Sequence, residues 1–276
     1  MPKHIVRVLP DKDEEGPPPK RYRTDNGMLD AFEQLLSHSV FVDKSLFIEK
    51  VLQSPTKAVL ITCQRGFAKS TLLDMVASFV RLQDDQGVPV TDPTQSNAYN
   101  VFVLGMLSKN LLDKPLMISK SEKTIRNHLA SHPVLRISFA GFRSTTFQNV
   151  VGHVRQLLCT LFMSHGYISV SLSRRLETHP EERTLIQSKL EMFGRFLSSN
   201  IQDETELEHG LRFLTELMFE HFGKKQLLVF VDDYDAQLNH LAEHCPKQEE
   251  LNRATSFLFN VFDQLMRRTP MFGSFW

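Results

Sequence analysis

Residues 57–63 (KAVLITC) form a short apolar run that stops abruptly at a polar, glycine-containing turn, and a helical pattern begins directly at Lys69. A run of this length, bounded by turn signals, suits a buried strand of a parallel sheet. Over residues 69–81, Leu72, Leu73, Val76, Phe79 and Val80 share one helical face. Strand, tight turn, helix is a demanding order, because parallel strands need long, usually helical, connections.

The rest of the chain repeats that alternation. VLRISF (134–139) comes after a His-Pro turn, and LLVFVD (227–232) comes after Gly223-Lys224-Lys225. Amphipathic patterns predict long helices near 147–165, 181–197, 204–221 and 249–267, and short ones over 28–36 and 44–52. The polar, proline-interrupted stretch 83–100 reads as a surface excursion, and no long internal repeat is visible. Together these predict an α/β fold, a parallel sheet flanked by helices. Residues 1–27, rich in proline, charge and glycine, read as a flexible tail, and residues 28–276 as the folded domain.

The 32 acidic and 32 basic residues balance, so net charge gives no argument for nucleic acid or an anionic membrane. Cys63, Cys159 and Cys245 are widely spaced and odd in number, which fits reduced thiols in an intracellular compartment. No apolar run approaches the roughly 20 residues that span a bilayer, and the charged N-terminus lacks a signal-peptide core. A soluble cytoplasmic or nuclear protein is expected, the nuclear option resting on the basic cluster Pro19-Lys20-Arg21-Tyr22-Arg23.

The turn itself, Cys63-Gln64-Arg65-Gly66-Phe67-Ala68-Lys69-Ser70-Thr71, stands close to the phosphate-loop pattern G-x-x-x-x-G-K-[ST]. In that pattern backbone N–H groups wrap the phosphates, the lysine reaches the β- and γ-phosphates, and the hydroxyl ligates Mg²⁺. Arg65, Gly66, Phe67, Ala68, Lys69, Ser70 and Thr71 are the candidate nucleotide-binding residues. Neither glycine of the pattern is present, since Cys63 and Ala68 stand there. A positive φ at Ala68 would cost on the order of 1 kcal/mol. The run 227–232 ends in Asp232-Asp233, and two adjacent carboxylates at a buried strand end are unfavourable without a cation or hydrogen-bond donors. A metal–phosphate site removes that cost, with Ser70 and Asp232 holding Mg²⁺ and Asp233 as the general base.

These residues resemble the AAA-ATPase-like family of P-loop proteins. Members read Tyr/Phe-Val-Asp-Lys-Thr, a short helix, a strand, and then Arg-Pro-Arg-Arg-Phe-Gly-Lys-Ser; this chain has Phe41-Val42-Asp43-Lys44-Ser45 and then residues 57–70. The family's Tyr-Pro-Val-Ile-x-Leu-Asp-Phe strand is similar to residues 132–139, and its Asp-Glu-Tyr-Asp to Asp232-Asp233-Tyr234-Asp235. The resemblance implies a P-loop NTPase-like sheet with ATP and Mg²⁺ as ligands. Departures are Ala68 for glycine, Gly66 for arginine and Asp233 for glutamate. Family members continue into a strand with a Thr-Gly sensor, and many then carry a nuclease-like domain. This chain ends at residues 272–276, just where that strand would begin, so a domain incomplete at the C-terminus is expected. Two functions are implied: an ATP-binding domain with weak Mg²⁺-dependent hydrolysis, or an inactive relative acting as a protein-interaction or regulatory module. A nucleic-acid role rests on the family analogy and residues 20–23 alone.

Other constellations are weaker. His240-Leu241-Ala242-Glu243-His244 matches H-x-x-E-H, but two histidines on a solvated helix face is the default reading, and G-x-S-x-G is absent.

Overall fold

Four parallel strands form one sheet: β1 (Ala58–Val59), β2 (Val134–Ser138), β3 (Leu227–Asp232) and β4 (Phe272–Phe275), in the order β1-β4-β3-β2. The computed structural model describes residues 41–267 and 272–275, apart from Lys57, Cys63, Arg65, Asp85, residues 108–111, Asp113 and residues 245–246, together with Phe32, Leu35 and Leu36. The tail assigned to residues 1–27, the basic cluster at 20–23, and Cys63, Arg65 and Cys245 lie outside the described residues.

In chain order the longer helices are α1 (Leu46–Leu52), α2 (Lys69–Val80), α3 (Glu122–His128), α4 (Phe147–Ser164), α5 (Tyr167–Thr178), α6 (Arg183–Leu197), α7 (Glu204–His221), α8 (Ala236–His244) and α9 (Gln248–Arg267). Among the described residues no helix is long and apolar enough to cross a membrane.

Strands β2 and β3 are buried on both faces, and the strand period of two sorts their residues. Leu135 and Ile137 of β2, with Leu227, Val229 and Val231 of β3, enter a core built with α4, α6, α7 and α9. Val134, Leu228 and Phe230 point the other way, into a core with α1 and α2. Every residue of β3 is buried. From Leu73 to Val80, α2 is buried on all sides, because helices and loops cover the face it turns away from the sheet.

Several sequence expectations change in detail. The first strand is two residues long, not seven; Leu60 is already exposed. The stretch 83–100 does not merely ride on the surface. Gln83 is buried, and its amide donates to the Val134 carbonyl at 2.8 Å while accepting from the Val134 N–H at 3.1 Å. It thus satisfies the outer edge of β2, which is the last strand of the sheet on that side among the described residues. A helix that the apolar periodicity does not predict, α5, comes after α4 and Gly166. Residues 272–275 form a strand, β4, instead of stopping short of one. It lies between β1 and β3, with Ser274 opposite both Ala58 and Val229.

Candidate nucleotide site

Because all four strands are parallel, their C-terminal ends share one edge, which is where open α/β sheets bind ligands. The turn after β1 and the carboxylates after β3 both open there, separated by β4. Two strand spacings place β1 and β3 about 10 Å apart.

The turn enters α2 through two left-handed residues, Gly66 at φ +88° and Ala68 at φ +63°, ψ +34°. Glycine takes such a backbone freely, whereas alanine incurs roughly 1–2 kcal/mol because of its Cβ. Ala68 therefore holds the strained conformation that the missing glycine would have relieved. Ala68 is the N-cap of α2, and its carbonyl accepts the Leu72 N–H at 2.9 Å. Its methyl offers no acceptor, and no acidic residue lies in the first turn. The N–H groups at the start of α2 are thus uncapped by the Ala68 side chain, at the positive end of the helix dipole. Lys69 is the first residue of that helix, with Ser70 and Thr71 next, all three partly exposed. Lys69 forms no ion pair among the described residues. A helix terminus of this kind binds anions.

On the facing side, Asp232 ends β3 and is 6% exposed. Its Oδ2 accepts from Nη2 of Arg136 at 3.0 Å, and Nε of the same guanidinium donates to Asp74 Oδ1 at 2.9 Å. Nη1 donates to the carbonyl of Ile137 at 2.9 Å. All three side chains are almost wholly buried. Register explains the contact: Arg136 lies opposite Phe230, so Asp232 is its diagonal neighbour on the same face of the sheet. Asp74 lies one turn beyond Ser70, on the same side of α2. The guanidinium therefore ties the helix that carries Lys69 and Ser70 to the strand end that carries Asp232.

One inference from sequence changes as a result. The cation beside the buried carboxylate of Asp232 is Arg136, which stands at the variable position of the strand motif at residues 132–139 and receives no role from the sequence. A signal exists: an arginine in the middle of an otherwise apolar strand pattern, and an aspartate inside a buried helix. Their partners lie 62 and 96 positions away in sequence, which spacing rules do not reach. The donor set still fits Mg²⁺, an ion that takes hard oxygen ligands and few protein groups. The Arg136 contact uses Oδ2 of Asp232, and the second candidate oxygen is the hydroxyl of Ser70, at the start of the helix tied to that strand end.

Asp233 departs from the strand. Its φ is +52°, a left-handed value that aspartate tolerates better than most residues. Its carbonyl accepts the Ala236 N–H at 3.0 Å, closing the turn into α8. The chain turns there, so the second carboxylate does not continue the line of β3.

A buried polar network holds the neighbouring loop. Ser144 Oγ lies 3.0 Å from His153 Nδ1 and donates to Gln237 Oε1 at 3.4 Å, and His240 Nδ1 lies 2.8 Å from the Ser144 carbonyl. These bonds fix α8, and with it the turn at Asp233, against the segment after β2. The Phe41-Val42-Asp43-Lys44-Ser45 motif has a structural use here. Asp43 Oδ2 accepts the Met117 N–H at 2.6 Å and Ser45 Oγ accepts the Ile118 N–H at 3.0 Å, anchoring residues 117–120. His240 and His244 stack with ring centroids 4.1 Å apart, and His244 Nδ1 lies 2.9 Å from the His240 carbonyl. Among the described residues no group of three or more His, Cys, Asp or Glu side chains is placed to hold a metal ion there.

No protein family, no curated protein and no solved structure matches the chain.

Proposed function

We propose that this chain is a P-loop NTPase-like domain that binds a nucleoside triphosphate at the edge of the sheet where α2 begins, with ATP the ligand implied by the resemblance to the AAA-ATPase-like family. The observation that carries the reading is the uncapped N-terminus of α2, with Lys69 at its first position, tied through Asp74 and Arg136 to Asp232 at the end of β3. In this reading the N–H groups of Gly66, Ala68 and Lys69 face the phosphates, while the Phe67 N–H donates to the Gln64 carbonyl at 3.2 Å and holds the turn. The Lys69 ammonium neutralises the β- and γ-phosphates as a point charge. Ser70 and Asp232 are the oxygen donors for Mg²⁺, which when bound spreads the charge that develops on the transferred phosphoryl group.

Turnover is expected to be slow, and the same residues give the reasons. Ala68 puts a methyl and a strained backbone where the phosphates must approach. Asp233 is a methylene shorter than glutamate and sits in a turn off the strand axis. A base misplaced by about 1 Å costs about 100-fold in rate. Phosphate release by the wild type is therefore expected to be slow, abolished in Lys69→Ala, and raised by roughly tenfold or more in Asp233→Glu. Release that survives Lys69→Ala would contradict the assignment of the loop. A protein-interaction role without hydrolysis is the second reading, favoured by the same turn at Asp233. Wild-type release indistinguishable from Lys69→Ala, with nucleotide still bound, would select it.

A further inference from the structure

We propose that Arg136 is a positioning residue for the cation site: it fixes Asp232 by one carboxylate oxygen so that the other stays oriented toward Mg²⁺. The inference rests on the nucleotide-binding reading. A buried carboxylate without a partner takes up a proton or turns toward water, and either response removes it as a metal ligand. The Arg136 guanidinium, 3.0 Å from Oδ2, supplies that partner and fixes the rotamer.

Arg136 is itself fixed. Nε is held by Asp74 and Nη1 by the Ile137 carbonyl, so the planar fork has little freedom to follow Asp232 if that side chain moves. Asp74 also offsets the arginine's charge. A single buried Arg–Asp pair at this point would leave Asp232 neutralised and indifferent to a second cation. With Asp74 present, the positive charge of Arg136 is shared between two carboxylates, and Asp232 retains negative charge to offer. Ordered outer partners of this kind set ligand orientation and metal affinity in general. The arrangement also places Asp74 one turn beyond Ser70, so one strut orients both proposed oxygen donors.

The test is the Mg²⁺ dependence of nucleotide affinity, read by titrating the full chain with ATP in excess Mg²⁺ and in EDTA. For the wild type, Mg²⁺ is expected to tighten binding by about tenfold or more, the scale on which outer-shell partners act. In the double variant Asp74→Leu/Arg136→Met, which leaves no bare pair of carboxylates in the core, the Mg²⁺ effect should fall below about threefold while affinity in EDTA stays within about threefold of wild type. Arg136→Lys keeps a cation in the pocket but loses the fork, and is expected to lie between the two. If the double variant keeps the full Mg²⁺ effect, or Arg136→Lys is indistinguishable from wild type, Arg136 is structural only and the inference is overturned. If the wild type binds ATP equally well in both buffers, the inference fails while the nucleotide reading stands. Absence of binding in either buffer removes both.

Discussion

Arg136 Nη2 and Asp232 Oδ2 lie 3.0 Å apart in a part of the core where both side chains are almost wholly buried. A buried pair of this kind contributes little beyond an apolar replacement, but breaking it is costly because a bare charge remains. Arg136→Met should therefore lower stability by about 3–5 kcal/mol, since it strands Asp74 and Asp232 together. Replacing all three by apolar residues of similar size should cost far less. Urea unfolding of the two variants checks this; equal losses would mean that the triad is not a unit.

Ala68 offers a smaller and opposite effect. Its left-handed backbone costs roughly 1–2 kcal/mol that glycine avoids, while glycine loses about 0.4–1 kcal/mol through the greater freedom of the unfolded chain. Ala68→Gly is thus expected to raise stability by about 0.5 kcal/mol and to tighten nucleotide binding, and Ala68→Val to lower both. A loss of stability in Ala68→Gly would show that the turn is not strained at this residue.

Two helical glycines separate packing from propensity. At Gly194 in α6 an added Cβ meets nothing within 4 Å, so Gly194→Ala should stabilise by about 0.5–1 kcal/mol through helix propensity. At Gly210 in α7 the same atom would lie 2.7 Å from Leu158 Cδ1 and 2.9 Å from Phe196 Cε1. Overpacking there should outweigh the propensity gain and cost about 1–3 kcal/mol. Thermal melts of the two variants should shift in opposite directions.

His132 gives the fold a pH dependence. Burial, helped by the nearby charges of His128 and Lys225, pushes its pKa down to about 4, against which the Gln226 carbonyl acts weakly. His128 Nδ1 lies 3.0 Å from His132 Nε2, and His132 Nδ1 lies 3.3 Å from the Gln226 carbonyl. The folded state keeps this ring neutral while the unfolded chain protonates it near pH 6.5, so the unfolded state binds more protons between those values. The contribution is complete above about pH 6.5 and shrinks as pH drops toward 4, with about 2 kcal/mol lost by about pH 5. His132→Gln should flatten the dependence of the urea midpoint between about pH 5 and pH 7. An unchanged slope would assign the loss to other groups.

How much of this is legible in the sequence depends on where each signal lies. The strand 227–232 and the helix 204–221 are readable to the residue, because six consecutive buried residues and an Asp203 N-cap before a long periodic stretch are local facts. Helix α5 is not, since Ile168, Val170 and Leu172 alternate with serines at the period of a strand and mask the helical spacing of Ile168, Leu172 and Leu176. The turn at 117–120 is held by contacts such as Asp43 to Met117, 74 positions apart. In the site, Lys69, Ser70 and Asp232 stand out by type and position. The linkage among them does not, because Arg136 and Asp74 acquire their roles only through register and helix facing.

Nucleotide binding at the start of α2 is tested most directly by titration calorimetry of the purified chain with Mg·ATP, with Lys69→Ala measured alongside. Saturable heat is predicted for the wild type, and a response weaker by about tenfold or more in the variant, the loss of a charge-assisted phosphate contact, with both proteins equally folded. No heat from a folded wild type, or equal binding by the two, would contradict the assignment.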